Sequence, residues 1–114
     1  FNVGLPVGES MTLLVIDGFG GRFSGLGVIA NRILEGREDA YHGSLLTSNP
    51  AELVIRVTPT SVKVTCDGKQ IVNWTGNASE LTIRRQFWNY RDDAIFLGSW
   101  NSEFILRSAT IRSL

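Results

Sequence analysis

The stretch Phe87-Trp88-Asn89-Tyr90-Arg91-Asp92-Asp93 is the part of the 114-residue chain richest in groups that do chemistry. It sets large aromatic rings beside an amide, a guanidinium and two carboxylates. Sugars dock the apolar C–H faces of their rings on aromatic side chains, and Asn, Asp and Arg each make paired hydrogen bonds to vicinal hydroxyls. In that chemistry Trp88 and Tyr90 stack, while Asn89, Arg91 and Asp92 take hydroxyls. Trp100, set among small residues between Gly98 and Ser102, offers a second platform. The same residues also have a plain structural use, in which Trp88 or Phe87 plugs the end of a domain and the charges are solvated. Trp74, in Asn73-Trp74-Thr75-Gly76, reads as structural, because it ends a strand and precedes a turn.

Other constellations are thinner. Glu35, Glu38, Asp39 and His42 set an acid and a base on one loop, a pattern that a charged surface loop explains as simply. Zinc has one His42 and one Cys66 to draw on, and Cys66 falls inside a predicted strand. No nucleophile elbow, phosphate-binding loop or paired Cys–His arrangement is visible. Two sequons occur, Asn73-Trp74-Thr75 and Asn77-Ala78-Ser79, and they matter only where the host glycosylates. Arg84-Arg85 lies near aromatics, yet 11 basic residues balance 11 acidic ones. A net charge of zero removes the long-range field of a nucleic-acid binder and makes the pair a soluble strand end.

These groups must be positioned by β-structure. A hydrophobic fraction of 43% against 19% charged suits one globular domain over residues 1–114 with one sizeable core. The single Cys66 excludes an internal disulfide, and no apolar run approaches the ~20 residues of a membrane helix. The chain opens on Phe1 with no signal-peptide pattern, which reads as a piece of a larger or processed protein. Good helix formers never keep a 3.6 period for three turns, and Gly36 interrupts the nearest approach, Arg32 to Tyr41. Ser10 to Asp17 is apolar on both faces, as in a central strand covered on two sides. Phe23 to Ala30 continues past glycines, Ser44 to Ser48 is short and weak, and Glu52 to Thr58 alternates. Ser61 to Cys66, Asp67-Gly68 and Gln70 to Trp74 spell a hairpin on a type I′ turn, with Cys66 facing Lys69, Val64 facing Ile71 and Val62 facing Asn73. Leu81 to Ile83, Ala94 to Gly98 and a long final strand, Glu103 to Arg112, complete an all-β sandwich or barrel.

The order of these features resembles a known group. An apolar strand leads through a Gly-rich turn to SGLGVI (Ser24 to Ile29). V-x-V-x-x-DGK (Val62 to Lys69) leads to W-T-G (Trp74 to Gly76), and the chain ends in FLGSWNSEFIL (Phe96 to Leu106). From Met11 onward the chain is similar to concanavalin A-like, laminin-G-like jelly-roll modules of the kind found in planctomycete multidomain proteins. It resembles more distantly the 3-keto-disaccharide hydrolase-like family. The resemblance implies an all-β, two-sheet antiparallel jelly-roll sandwich and an extracytoplasmic setting, with carbohydrate association as a tendency of the fold. Calcium is the usual partner of several laminin-G-like modules, and Asp92-Asp93 and Glu38-Asp39 are the adjacent acidic pairs that it would need, although neither forms a D-x-D-x-D loop. The E-x-D-x-x-E strand of the retaining β-glucanases of this fold is missing. Arg22, Ser24 and Arg32 flank SGLGVI somewhat as the hydrolase-like family's Ser-Gly and Arg positions do.

The expectation is therefore a non-catalytic carbohydrate-binding or interaction module, with no nucleic acid and no membrane insertion. Its ligand site comprises Trp88, Asn89, Tyr90, Arg91, Asp92 and Trp100. A sugar-active enzyme of the hydrolase-like type would instead require a deep pocket holding carboxylates near Glu35 to His42. A structural or protein-interaction domain would show an apolar patch or an open sheet edge.

Overall fold

Ser10–Asp17 decides the architecture, because both of its faces are covered. In the computed structural model, residues 1–47, 49–100 and 102–113 are described. Among these residues ten strands run in the order β1 (Asn2–Val7), β2 (Ser10–Asp17), β3 (Phe23–Leu26), β4 (Val28–Ile29), β5 (Arg32–Ile33), β6 (Tyr41–His42), β7 (Leu53–Thr58), β8 (Ser61–Cys66), β9 (Lys69–Thr75) and β10 (Phe96–Gly98). A five-stranded sheet has the order β10-β1-β2-β3-β6, and a three-stranded sheet the order β7-β8-β9. Both are antiparallel. Leu14, Ile16 and Leu26 of the larger sheet share one core with Val62, Val64 and Cys66 of the smaller, as in a β-sandwich. Met11 and Leu13, on the opposite face of β2, pack with Ile83 beneath Trp88, Tyr90 and Phe96.

The 61–75 hairpin forms as its sequence dictates, with one correction. Asp67 and Gly68 take φ of 50° and 81°, the positive values that the turn requires. Cys66 faces Lys69 as expected, but the register shifts between Val64 and Thr65, so Val64 faces Val72 and Val62 faces Trp74. The extra residue is Ile71. A bulge places two residues opposite one and re-aims the side chains beyond it. Ile71 and Val72 are consequently both buried, and Trp74 turns onto the core where the unshifted register would put Asn73. Burial, then the charges of Asp67 and Asp17, push the Cys66 thiol up, which keeps it a protonated, buried apolar group.

Other expectations need correction. β1 was not anticipated, since Gly4 and Pro6 disguise it. Pro6 is tolerated because β10 covers only Asn2–Gly4, leaving an open edge beside it. Phe23 to Ala30 is not continuous: Gly27 separates β3 from β4, and Ala30-Asn31 turn the chain into the β4–β5 hairpin. No strand forms over 44–47, and Ser48 lies outside the described residues. Leu81 makes one isolated bridge to Ile29, and Leu81 and Ile83 anchor different cores.

Glu103 to Arg112 is not a strand. It runs without ladder bonds among the described residues, leaving Ile105 91% and Ile111 78% exposed. Its alternation is genuine β-pattern, but among the described residues it pairs with no strand. Phe104 reaches Phe1, with ring centroids 5.7 Å apart, and the two line an apolar cavity of about 320 Å³ with Leu97 and Leu106.

Candidate functional site

The outer face of the larger sheet is covered by Trp88 and Tyr90, two of the residues that the sequence singled out, together with Phe96. Two glycines make the room. A side chain at Gly4 would collide with the Phe96 ring, and a Cβ at Gly98 would stand 2.8 Å from the Trp88 ring. Phe96 therefore lies flat over β1, and Trp88 over β10. Trp88 and Phe96 are 5.8 Å apart between centroids, and Tyr90 also stacks with Phe96, at 5.8 Å with planes 23° apart. Trp100 extends the row, 6.3 Å from Trp88 and 5.8 Å edge-on to Phe87. Trp88, Tyr90 and Phe96 are partly buried, whereas Trp100 is 58% exposed. The result is a shelf with a packed root and an exposed lip.

Beside the root opens a cavity of about 320 Å³, lined by Glu9, Ser10, Thr82, Arg85, Tyr90 and Asp92 among others. The Arg85 guanidinium lies 4.5 Å above the Tyr90 ring and pairs with the Asp92 carboxylate. This cation is held on both sides, by a ring face and by a charge. Polar donors and acceptors thus stand next to flat apolar rings, the combination that a sugar's hydroxyls and C–H faces require.

The anticipated residues divide into three groups. Tyr90 and Asp92 meet at the cavity. Trp88 and Trp100 meet in the ring row, with Trp88 also serving to cover Gly98. Asn89 is exposed, and Arg91 pairs with Asp93 at 3.2 Å on the surface, so neither is among the cavity's lining residues. Glu9, Ser10, Thr82 and Arg85 were missed. Glu9 and Ser10 come from the β1–β2 turn, far away in sequence, and no spacing links them to Tyr90. Arg85 read as a soluble strand end, although an arginine two residues before an aromatic pair was the available signal.

Three of the four carboxylates considered for calcium are engaged by arginines. Asp92 meets Arg85, Asp93 meets Arg91, and Asp39 meets the buried Arg37 at 2.9 Å. Among the described residues, no group of three His, Cys, Asp or Glu side chains is gathered to hold a metal ion. Arg37 also donates to the carbonyls of Leu26, Gly27 and Arg32, so it braces the 34–40 loop from inside. Glu35, Glu38, Asp39 and His42 stand exposed around that brace. Among the described residues, no helix is long and apolar enough to cross a membrane. In comparisons with known proteins, the chain matches no family model, no curated protein and no solved structure.

Proposed function

We propose that this chain is a non-catalytic carbohydrate-binding module of concanavalin A/laminin-G jelly-roll type, belonging to an extracytoplasmic protein. The observation that carries the reading is the exposed Trp100–Phe87 lip leading over Trp88 and Phe96 to the cavity at Tyr90, Arg85 and Asp92. A ring face costs little to desolvate against C–H groups, and the neighbouring carboxylates and guanidinium select among hydroxyl patterns. The catalytic alternative has less support, because the Glu35–His42 loop is organised around Arg37 and its carboxylates face solvent.

Screening the domain against a glycan array, with and without calcium, tests the reading. Binding to a related set of glycans is expected, and Trp100→Ala should reduce it at least tenfold with the melting temperature nearly unchanged. A folded sample that leaves the array blank removes the proposal.

A second reading has its own observation. The apolar, unpaired 103–112 segment favours a protein-interaction module, because an exposed strand-like segment is a template for pairing. In that reading sedimentation shows self-association or partner capture, and Ile105→Glu abolishes it. A monomer at every concentration with no partner leaves the segment without that role.

A further inference from the structure

We propose that the Asp17–Phe23 turn and His42 form a second binding site, separate from the shelf, which takes a uronic acid residue with its ring face on Phe19 and its carboxylate on Arg22. The first observation is Phe19 itself. It sits in the left-handed region, at φ 53° and ψ 53°, where a bulky L side chain is strained. The other positive-φ residues have local reasons. Gly20 and Gly21 lack a Cβ, Asp17 and Asp67 are tolerated types, and Ala30-Asn31 occupy a two-residue hairpin turn. Phe19 has none, and its ring remains 45% exposed, so burial gives little in return. Such strain persists only where surrounding bonds impose it, and it gathers at ligand contacts. Those bonds are present: Arg22 Nε donates to the Phe19 carbonyl at 3.2 Å, Arg22 N to the Gly18 carbonyl, and Ser44 Oγ to the Gly21 carbonyl.

The second observation is the surface that this turn presents. Phe19 and His42 stand nearly perpendicular to the Phe23 ring, with centroids 6.0 and 4.8 Å from it. Arg22 lies 5.8 Å over the same ring. Among the described residues its Nε is held by the Phe19 carbonyl and its two terminal nitrogens have no hydrogen-bond partner. The nearby Asp17 carboxylate is occupied by the amides of Leu45 and Leu46 at 2.8 Å. An uncommitted guanidinium beside exposed rings matches a carboxylate carried on a C–H-rich ring, which it binds through two parallel hydrogen bonds. This patch includes the β6 edge of the sheet, and the shelf includes the β10 edge. Four strand spacings, about 19 Å, separate those edges.

His42 is the only histidine, so its ring proton signals report on this patch alone. In an NMR titration with a galacturonate trisaccharide, those signals should shift saturably, and the methyl-esterified trisaccharide should bind at least tenfold more weakly. Phe19→Gly should weaken binding tenfold or more while raising the melting temperature, because it removes the ring and the strain together. Arg22→Gln should erase the preference for acid over ester. Trp100→Ala should leave the titration unchanged. The proposal is overturned by the absence of a saturable shift, by equal binding of acid and ester, or by a Phe19→Gly variant that melts lower. Loss of the His42 response in Trp100→Ala would likewise overturn it, by reducing two sites to one.

Discussion

The two faces of β2 are built to different standards. Leu14 and Ile16 point into a core sealed by the second sheet, and both are fully buried. Met11, Leu13 and Val15 point the other way, beneath rings that are themselves only partly covered. The inner face gains stability from close packing. The outer face leaves aromatic surface exposed, and it depends on Gly4 and Gly98 to seat Phe96 and Trp88. One strand thus serves as foundation on one side and as the floor of an aromatic shelf on the other. Substitutions on each side should separate stability from ring placement.

The largest effect is expected from the inner side. Ile16→Ala removes a fully buried side chain and leaves a cavity, which should cost about 2–5 kcal/mol in urea unfolding. The aromatic near-ultraviolet circular dichroism of the folded protein should hardly change. Gly4→Ala acts from the outer side. The added methyl overlaps the Phe96 ring, and overpacking of this kind should cost about 1–3 kcal/mol. Here the near-ultraviolet spectrum should change strongly, because Phe96 cannot shift without its neighbours Trp88 and Tyr90. If both variants altered the spectrum equally, the two faces would be one packing unit and the distinction would fail.

The same division explains what was legible in the sequence. β2 and β8 could be read to the residue, because uninterrupted apolar patterns state the period, and the DG turn fixes the register of β8 and β9 as far as Thr65 and Gln70. The bulge at Ile71 was not legible. Lys69 to Thr75 alternates acceptably in either register, and only the gain from burying Val72 and Trp74 selects one. β1 was hidden by Gly4 and Pro6, residues that weaken a strand signal but are required here by a neighbouring ring and an open edge. Glu103 to Arg112 failed in the opposite direction: the pattern was present and the pairing was not. At the site, the ring-bearing residues were visible as a local cluster. Glu9, Ser10 and Thr82 reach the cavity through the β1–β2 turn and the Leu81–Ile83 anchor, contacts that are set by sheet topology rather than by spacing.

The smallest effect probes a flaw in the inner face. Thr12 is fully buried, it faces the same side as Leu14 and Ile16, and its hydroxyl has no hydrogen-bond partner among the described residues. An unpaired hydroxyl loses its water on folding and gains nothing for it, at a cost of about 1–3 kcal/mol. Thr12→Val replaces that hydroxyl with a methyl of nearly the same shape. It should stabilise the domain by about 1 kcal/mol, or roughly 4 °C in melting temperature. Thr82 supplies the control from the outer side. It is exposed at the polar cavity, where its hydroxyl keeps its water, so Thr82→Val should change stability by less than about 0.5 kcal/mol. Opposite behaviour of the same chemical change at the two positions would support a dry inner face and a wet outer one. If Thr12→Val were destabilising, the hydroxyl would have to be satisfied in solution, either by a backbone carbonyl or by a water that the inner face of β2 admits.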